Sequence, residues 1–571
     1  MRYVYSSSPL FAALVVASIG AFASLALAQE KPAPVTVAAI DQTALAGRID
    51  ALLDKHYPAG EPGAAVVVSV RGQTVYRAAR GMANLEKGIA LKSDDVFRLG
   101  SITKQFTAVA ILKLVDEGRL KLDDEIGRHI PGYPDTGKGV TIEQLLAHTA
   151  GVPSYTDSPE YAASMEKPVT HADMLARFAG KPLEFKPGTQ WKYSNSGYYL
   201  LGMVIENVSG RSYADYVARN LFIPLGMQHS AYEGHERSGK RRVEGYARAD
   251  GKFAPDSPVH MSQPYAAGSL LSTVNDLAIW NRAISEGKIL RKETWAKAFT
   301  PATLAEGSKT RYGHGFMFDP FNGTQSIHHG GGINGFLTHA VRLPQEDIYV
   351  AILTNTRARG GLHVTLSQRI AALAMGKPFP DQPAITLDDA ALDRHIGIYK
   401  IDEKTSRNVF RDGNQLFSQR TGGQRVALAP ASATDFFNPE SLVSVRFESD
   451  TGGETMRAVF RQATGEDTSP RVSKVPLAQR KVIAMSTDAF DRYVGKYELA
   501  PNFVLTIYRE SGKFFSRATN QGALEIFPEA EGRFFTRAIE AEIAFSKDAE
   551  GKINELVLTQ RGRDTRARRI E

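Results

Sequence analysis

Phe97-Arg98-Leu99-Gly100-Ser101-Ile102-Thr103-Lys104-Gln105-Phe106 decides how the rest of the chain is read. A short apolar run leads into a Gly turn, and a serine then opens a helix. The helix continues through Thr107-Ala108-Val109-Ala110-Ile111-Leu112-Lys113-Leu114-Val115 and stops near Gly118. Ser101 and Lys104 stand three residues apart and so share one helix face. Val109 to Leu112 is apolar nearly all round, which marks a helix buried inside a domain. A hydroxyl and an amine at the mouth of such a helix suggest a nucleophile beside an amine held out of water.

Working outward, Ala44 to His56 carries Leu45, Ile49, Leu52 and Leu53 at helical spacing. Ala64 to Val70 is a buried strand, Arg71-Gly72-Gln73 a hairpin turn, and Thr74 to Ala78 the returning strand. Residues 119–300 read as mostly helical with long loops. Ile142 to His148 and Tyr198 to Val208 are helices, and another starts at Leu271 to Asp276, capped by Ser272 or Thr273. Strands return at His314 to Phe318, Phe336 to Leu343 and Ile348 to Thr354, and a helix over Leu362 to Met375 closes the segment. Strands from both ends of 44–376 thus flank a helical insert. That order predicts an α/β domain, with one antiparallel sheet flanked by helices, a helical lobe, and a cleft between the two.

Residues 377–386 form a Pro-rich linker. Beyond it, Leu392-Asp393-Arg394-His395-Ile396-Gly397-Ile398-Tyr399 matches Phe490-Asp491-Arg492-Tyr493-Val494-Gly495-Lys496-Tyr497, and each copy continues as short alternating strands such as Val443 to Phe447 and Phe503 to Tyr508. Two small all-β, lipocalin-like antiparallel barrels are expected, over 387–480 and 487–571.

With 571 residues the chain exceeds one core. The absence of cysteine excludes disulfides, thiolate nucleophiles and Cys-ligated metal sites. Residues 1–28 read as a signal peptide. Arg2 is the only charge before Glu30, Leu10 to Ala28 is apolar or small, and Ala26-Leu27-Ala28 ends the run. Cleavage after Ala28 would place the protein in the periplasm or outside the cell, with a flexible leader over 29–43. No later stretch is apolar enough to span a membrane, so no stable span remains after cleavage. A formal charge of +7 is modest for this length. The cluster Arg561, Arg563, Arg566, Arg568, Arg569 reads as a solvated tail, not as a nucleic-acid surface, which would interleave basic and aromatic residues.

Ser-x-x-Lys occurs three times, at Ser101/Lys104, Ser164/Lys167 and Ser285/Lys288. Pro168 follows the second and Gly287 interrupts the third, so only Ser101 opens a long buried helix. Tyr193-Ser194-Asn195 is the one Tyr-x-Asn in the chain and falls in the loop before a helix of the insert. His329-Gly330-Gly331-Gly332 leads into the strand starting at Phe336. In this order the motifs resemble the serine β-lactamase and penicillin-binding superfamily, and within it the class C β-lactamase-like branch of esterases and peptidases. Leu145-Leu146-Ala147-His148-Thr149-Ala150-Gly151-Val152, Ala267 to Thr273 and His329 to Phe336 look like the same branch. The resemblance covers about 44–376.

A serine hydroxyl is a poor nucleophile until a base takes its proton. Two side chains can serve. A lysine with an ordinary pKa of about 10.4 costs ~4–5 kcal/mol to keep neutral at pH 7, and burial lowers that cost. Alternatively Lys104 stays charged and lowers the pKa of Tyr193, whose phenolate is then the base. The residues leave both open, and the resemblance implies the second. It further implies that Asn195 orients Lys104 and the substrate amide, that His329 takes the place of the Lys in Lys-Thr-Gly, that Gly331 contacts substrate, and that the Ser101 and Gly332 N–H groups form the oxyanion hole. His328 and His329 lack the carboxylate or spacing of a zinc site, so no metal and no cofactor are expected. The expected function is an exported serine hydrolase working through a Ser101 acyl-enzyme on an ester, amide or peptide bond of a small molecule or short peptide. Histidine in the third motif holds a substrate carboxylate poorly at pH 7, which argues against efficient β-lactam hydrolysis. D-amino-acid-specific aminopeptidases resemble the whole architecture, two barrels included. A D-alanyl-D-alanine carboxypeptidase, a weak β-lactamase and a penicillin sensor that acylates and stalls are the rivals. The barrels are read as packing over the cleft mouth.

Overall fold

The computed structural model describes residues 41–571, apart from 250, 380–382, 404, 422, 424, 440, 464, 478–479, 481, 501–502, 511, 520–522, 538–540, 549 and 561–562. The signal peptide and residues 29–40 of the leader lie outside the described residues. Residues 42 and 43 are not leader. They begin helix α1 (Gln42–His56), whose N-cap Asp41 accepts from the Thr43 and Ala44 N–H groups.

Six antiparallel strands form the central sheet: β1 (Ala64–Val70), β2 (Gln73–Arg80), β3 (Met317–Phe321), β4 (Thr324–Ile333), β5 (Phe336–Leu343) and β6 (Ile348–Thr354), in the order β3-β4-β5-β6-β1-β2. The first and last segments of the domain meet where β1 pairs β6 from Ala64↔Thr354 to Val70↔Ile348. Period-two alternation then sorts the side chains. Val66, Val68, Val341, Val350 and Ile352 pack on Leu45, Ile49 and Leu53 of α1 and on Leu366 and Ile370 of the closing helix Leu362–Ala374. Ala65, Val67, Ala340, Ala351 and Leu353 face the larger core shared with the helical lobe.

That larger core contains α2 (Thr103–Asp116), with Phe106 and every residue from Thr107 to Leu112 buried. Ser101 does not open the α-helix as expected. It lies in a 3-10 turn over Gly100–Ile102, and the α-helical bonding begins at Thr103. Helix α3 (Asn195–Ser209) starts three residues earlier than its apolar pattern suggests, because Ser194 caps it through a bond from Gly197 N–H, and Gly210 ends it in the left-handed conformation. Thr273 caps Val274–Ser285, and Leu270–Ser272 before it is a strand that pairs with Phe97–Arg98.

Three expectations need correction. The strand placed at His314 to Phe318 is Met317–Phe321, since Gly313 and Gly315 hold the preceding segment in a turn against Ala298 and α2. The His329 motif does precede the strand at Phe336, but it also belongs to a strand that was not among those read from the sequence. It lies inside β4, whose run of three glycines hid a ten-residue strand. The C-terminal arginines are no tail: Arg563–Arg569 is the last strand of the second barrel, with Ala567 turned into the core and Arg566 paired to Glu555.

Both barrels are closed and eight-stranded. The first runs from Gly397–Lys400 to Gly465–Ser473 and the second from Gly495–Ala500 to Arg563–Arg569. The repeated octapeptide has the same job in each. Tyr399 Oη donates to the His395 carbonyl at 2.7 Å and Tyr497 Oη to the Tyr493 carbonyl at 2.9 Å, closing the helix-to-strand turn. Ala463 of the first barrel packs in one cluster with Phe321 of the sheet. Strand Phe503–Glu510 of the second lies beside helix Pro159–Ser164 of the helical lobe. Among the described residues no helix is long and apolar enough to cross a membrane.

Candidate active site

The Gly100–Ile102 turn is pinned by its neighbours. Leu99 N–H donates to the Leu270 carbonyl at 2.9 Å, and the Leu99 carbonyl accepts from Thr338 Oγ1 of β5 at 2.7 Å. Gly100 adopts φ +55°, and a Cβ there would lie 2.8 Å from the Gly332 nitrogen. Backbone therefore packs on backbone: the nucleophile turn rests on the glycine stretch of β4, which brings Ser101 and Gly332, the two expected oxyanion donors, onto adjoining main chain.

Lys104 is fully buried. Its Nζ meets Ser101 Oγ at 3.1 Å, Asn195 Oδ1 at 2.8 Å and the Ala267 carbonyl at 2.8 Å. The Tyr193 ring centroid is 4.8 Å from the same nitrogen. Burial holds the amine well below its ordinary pKa. Burial pushes the Tyr193 phenol above its ordinary range, and the nearby Ser101 hydroxyl only partly offsets this. Asn195 occupies the first turn of α3, not a loop. Its Nδ2 donates to Thr156 Oγ1 at 3.0 Å and its N–H to Ser154 Oγ at 3.1 Å, so the amide oxygen is turned to Lys104.

His329 is 2% exposed, and both ring nitrogens are engaged within the protein. Nδ1 bonds the Gly330 carbonyl at 2.6 Å and must donate there, so Nε2 accepts from Tyr312 Oη at 2.9 Å. Burial, reinforced by Lys104, lowers its pKa to about 3. The ring is neutral and presents no charge to a substrate. Gly331 is buried against Leu99 and Thr338. Sequence reasoning gave no role to the Ala267 carbonyl, Ser154, Thr156 or Tyr312. Ala267 and His148 did fall in stretches that resembled the family, while Tyr312 left no signal. Among the described residues no group of three or more His, Cys, Asp or Glu could hold a metal ion.

His329 at about 3, His314 at about 4, and His148 and His339 in direction, are all held below the ordinary 6.5 by burial. The unfolded chain takes up protons below pH 6.5 that the folded chain refuses, so their contribution is complete above that pH and is lost as pH falls toward 3–4. Each pH unit of the gap is about 1.4 kcal/mol per group. Calorimetry should show the melting temperature falling steadily from pH 6.5 to 4. A flat profile across that window would refute the neutral assignments.

Compared with known proteins, the Beta-lactamase family profile matches residues 48–375. A domain of unknown function, DUF3471, matches residues 479–569, the second barrel. A penicillin-binding protein of Bacillus subtilis (strain 168) is 29% identical over 410 residues, 67% of this chain and 89% of the relative. Protein flp of Staphylococcus aureus (strain MRSA252) is 26% identical over 317 residues, 54% of this chain and 62% of flp. Among solved structures, the octameric penicillin-binding protein homologue from Pyrococcus abyssi superposes with a TM-score of 0.54 at 26% identity, over 74% of this chain and 99% of that one. The matched profile runs from α1 to the closing helix, more than half of the chain, and the chain belongs to the beta-lactamase family.

Proposed function

We propose that the protein is an exported serine hydrolase that forms an acyl-enzyme at Ser101 on an ester, amide or peptide bond, with Lys104 as general base. The observation that carries the reading is the environment of Lys104 Nζ. Asn195 Oδ1 and the Ala267 carbonyl can only accept. A neutral amine gives its two N–H bonds to them and turns its lone pair on Ser101 Oγ at 3.1 Å. Tyr193 then keeps its proton and donates it to the leaving group. In acylation, Ser101 Oγ bonds the substrate carbonyl carbon, its proton passes to Lys104, and the C–N or C–O bond breaks as Tyr193 protonates the departing atom. The Lys104 ammonium then returns its proton to the Tyr193 phenolate. Water attacks the acyl carbon and gives its proton to Lys104, the acyl C–O bond breaks as Tyr193 protonates Ser101 Oγ, and a second Lys104-to-Tyr193 transfer restores the site as the acid leaves.

The neutral, internally bonded His329 supports a substrate without a carboxylate to be held at that place. An ester, or an amide or short peptide of a D-amino acid as in the aminopeptidases the sequence resembles, fits better than a β-lactam or a D-alanyl-D-alanine terminus. A panel of chromogenic esters, D- and L-amino acid anilides and a β-lactam tests this, with Ser101→Ala as control. Repeated turnover of an ester or D-anilide, weak β-lactam hydrolysis and an inert control are expected. A single stoichiometric burst without turnover would sink the hydrolase reading in favour of a sensor.

A further inference from the structure

His148 takes no part in the scheme above, yet it holds the Lys192–Ser194 segment at three points. Its φ is +59°, a left-handed conformation that a histidine adopts at a cost. That conformation aims its carbonyl and its ring at the same segment. The Lys192 N–H donates to the His148 carbonyl at 3.0 Å, and the Ser194 N–H donates to Nδ1 at 3.2 Å. The imidazole lies over the Tyr193 ring, centroids 4.2 Å apart. The N–H groups of the residues before and after Tyr193 are thus anchored on one residue, the first on its carbonyl and the second on its ring. On its other sides the imidazole meets Tyr312 at 4.6 Å and Tyr198 at 5.1 Å, so it is wedged among three tyrosines.

Packing alone does not account for this arrangement. An aliphatic or phenyl side chain would fill the space, but it could not accept the Ser194 N–H and would be strained at positive φ. Because Nδ1 accepts, the ring proton is on Nε2, which is buried and has no hydrogen-bond partner among the described residues. An unpaired buried donor costs roughly 1–3 kcal/mol. A site that keeps a strained backbone and an unpaired donor at one residue uses that residue for something its neighbours cannot supply.

We infer that His148 is a positioning residue for Tyr193, clamping the segment on both sides so that the phenol keeps its place beside Lys104 and the nucleophile turn. The inference rests on the reading of Tyr193 as proton donor at an acylating Ser101. Its test is a double-mutant cycle on the ester or anilide that the wild type turns over best. His148→Ala should lower kcat by about 10²-fold with KM little changed, since an ångström of misplacement costs that much. His148→Asn keeps an acceptor near Nδ1 and tolerates positive φ, so it should recover most of kcat. In a Tyr193→Phe background His148→Ala should cost little more, because its effect passes through the missing hydroxyl. An equal loss in both backgrounds, or an unchanged kcat in His148→Ala, overturns the inference. If His148→Ala does not fold, the same cycle is run with His148→Gln against His148→Asn. A wild type inert toward every substrate sinks the hydrolase reading alone, and amide hydrogen exchange then judges the clamp. Protection at Ser194, whose acceptor is the His148 side chain, that is lost in His148→Ala and kept in His148→Asn supports it, and equal protection at Ser194 in all variants overturns it.

Discussion

Lys104→Met is expected to remove turnover as fully as Ser101→Ala, a loss of about 10⁴-fold or more, or ~5 kcal/mol of barrier. The fold should survive. Methionine fills a similar volume and removes an amine that is fully buried at a desolvation cost. Against that gain, Asn195 Oδ1 and the Ala267 carbonyl lose their donor, at about 1–3 kcal/mol. The two effects oppose each other, so the melting temperature should move by a few degrees at most while kcat collapses. Lys104→Arg separates the two possible bases. A guanidinium never gives up its proton at working pH. If Lys104 is the base, Lys104→Arg is as inactive as Lys104→Met. If the cation instead serves a Tyr193 phenolate, Lys104→Arg keeps measurable kcat. The second result would restore the assignment implied by the family resemblance and end the one proposed here.

The parts of the site that were legible in the sequence are those set by short spacing. Ser101 and Lys104 share a helix face whatever the rest of the chain does, and their distance of 3.1 Å follows from local geometry. Tyr193 and Asn195 were recognisable as a pair, but their contact with Lys104 depends on where α3 packs, which no local pattern encodes. The Ala267 carbonyl is invisible for a stronger reason: a backbone acceptor has no residue type. The barrels were legible because the sequence repeats itself, and the repeat falls on the turn that Tyr399 and Tyr497 close. The C-terminal arginines misled because composition was read without alternation. In Arg563–Arg569, Asp564, Arg566 and Arg568 are exposed on the outside, Ala567 turns into the core, and Arg569 on the inward side bonds the Ile553 carbonyl over the Tyr497 ring.

The glycine run of β4 hid a strand from sequence reasoning for the same reason that it is needed, and this gives the other large expected effect. Glycine is unfavourable in a strand unless another backbone approaches closely. Here one does. A Cβ on Gly331 would overlap the Leu99 carbonyl oxygen and Thr338 Oγ1, the two atoms that pin the nucleophile turn to β5. Gly331→Ala must therefore push the turn off the strand or break the Leu99–Thr338 bond. Overpacking of this kind costs about 1–3 kcal/mol. An ångström of displacement between Ser101 and β4 costs about 10²-fold in kcat. The neighbouring Gly330 provides the control. A Cβ there would meet the Thr338 carbonyl at 3.7 Å and His339 Cδ2 at 3.8 Å, ordinary contact distances. Gly330→Ala should thus melt near the wild type and keep most of its kcat, while Gly331→Ala loses both stability and rate. If thermal melting and single-turnover acylation rank the two variants alike, the glycines do not serve the close approach of the nucleophile turn. The joint placement of Ser101 and Gly332 would then need another cause.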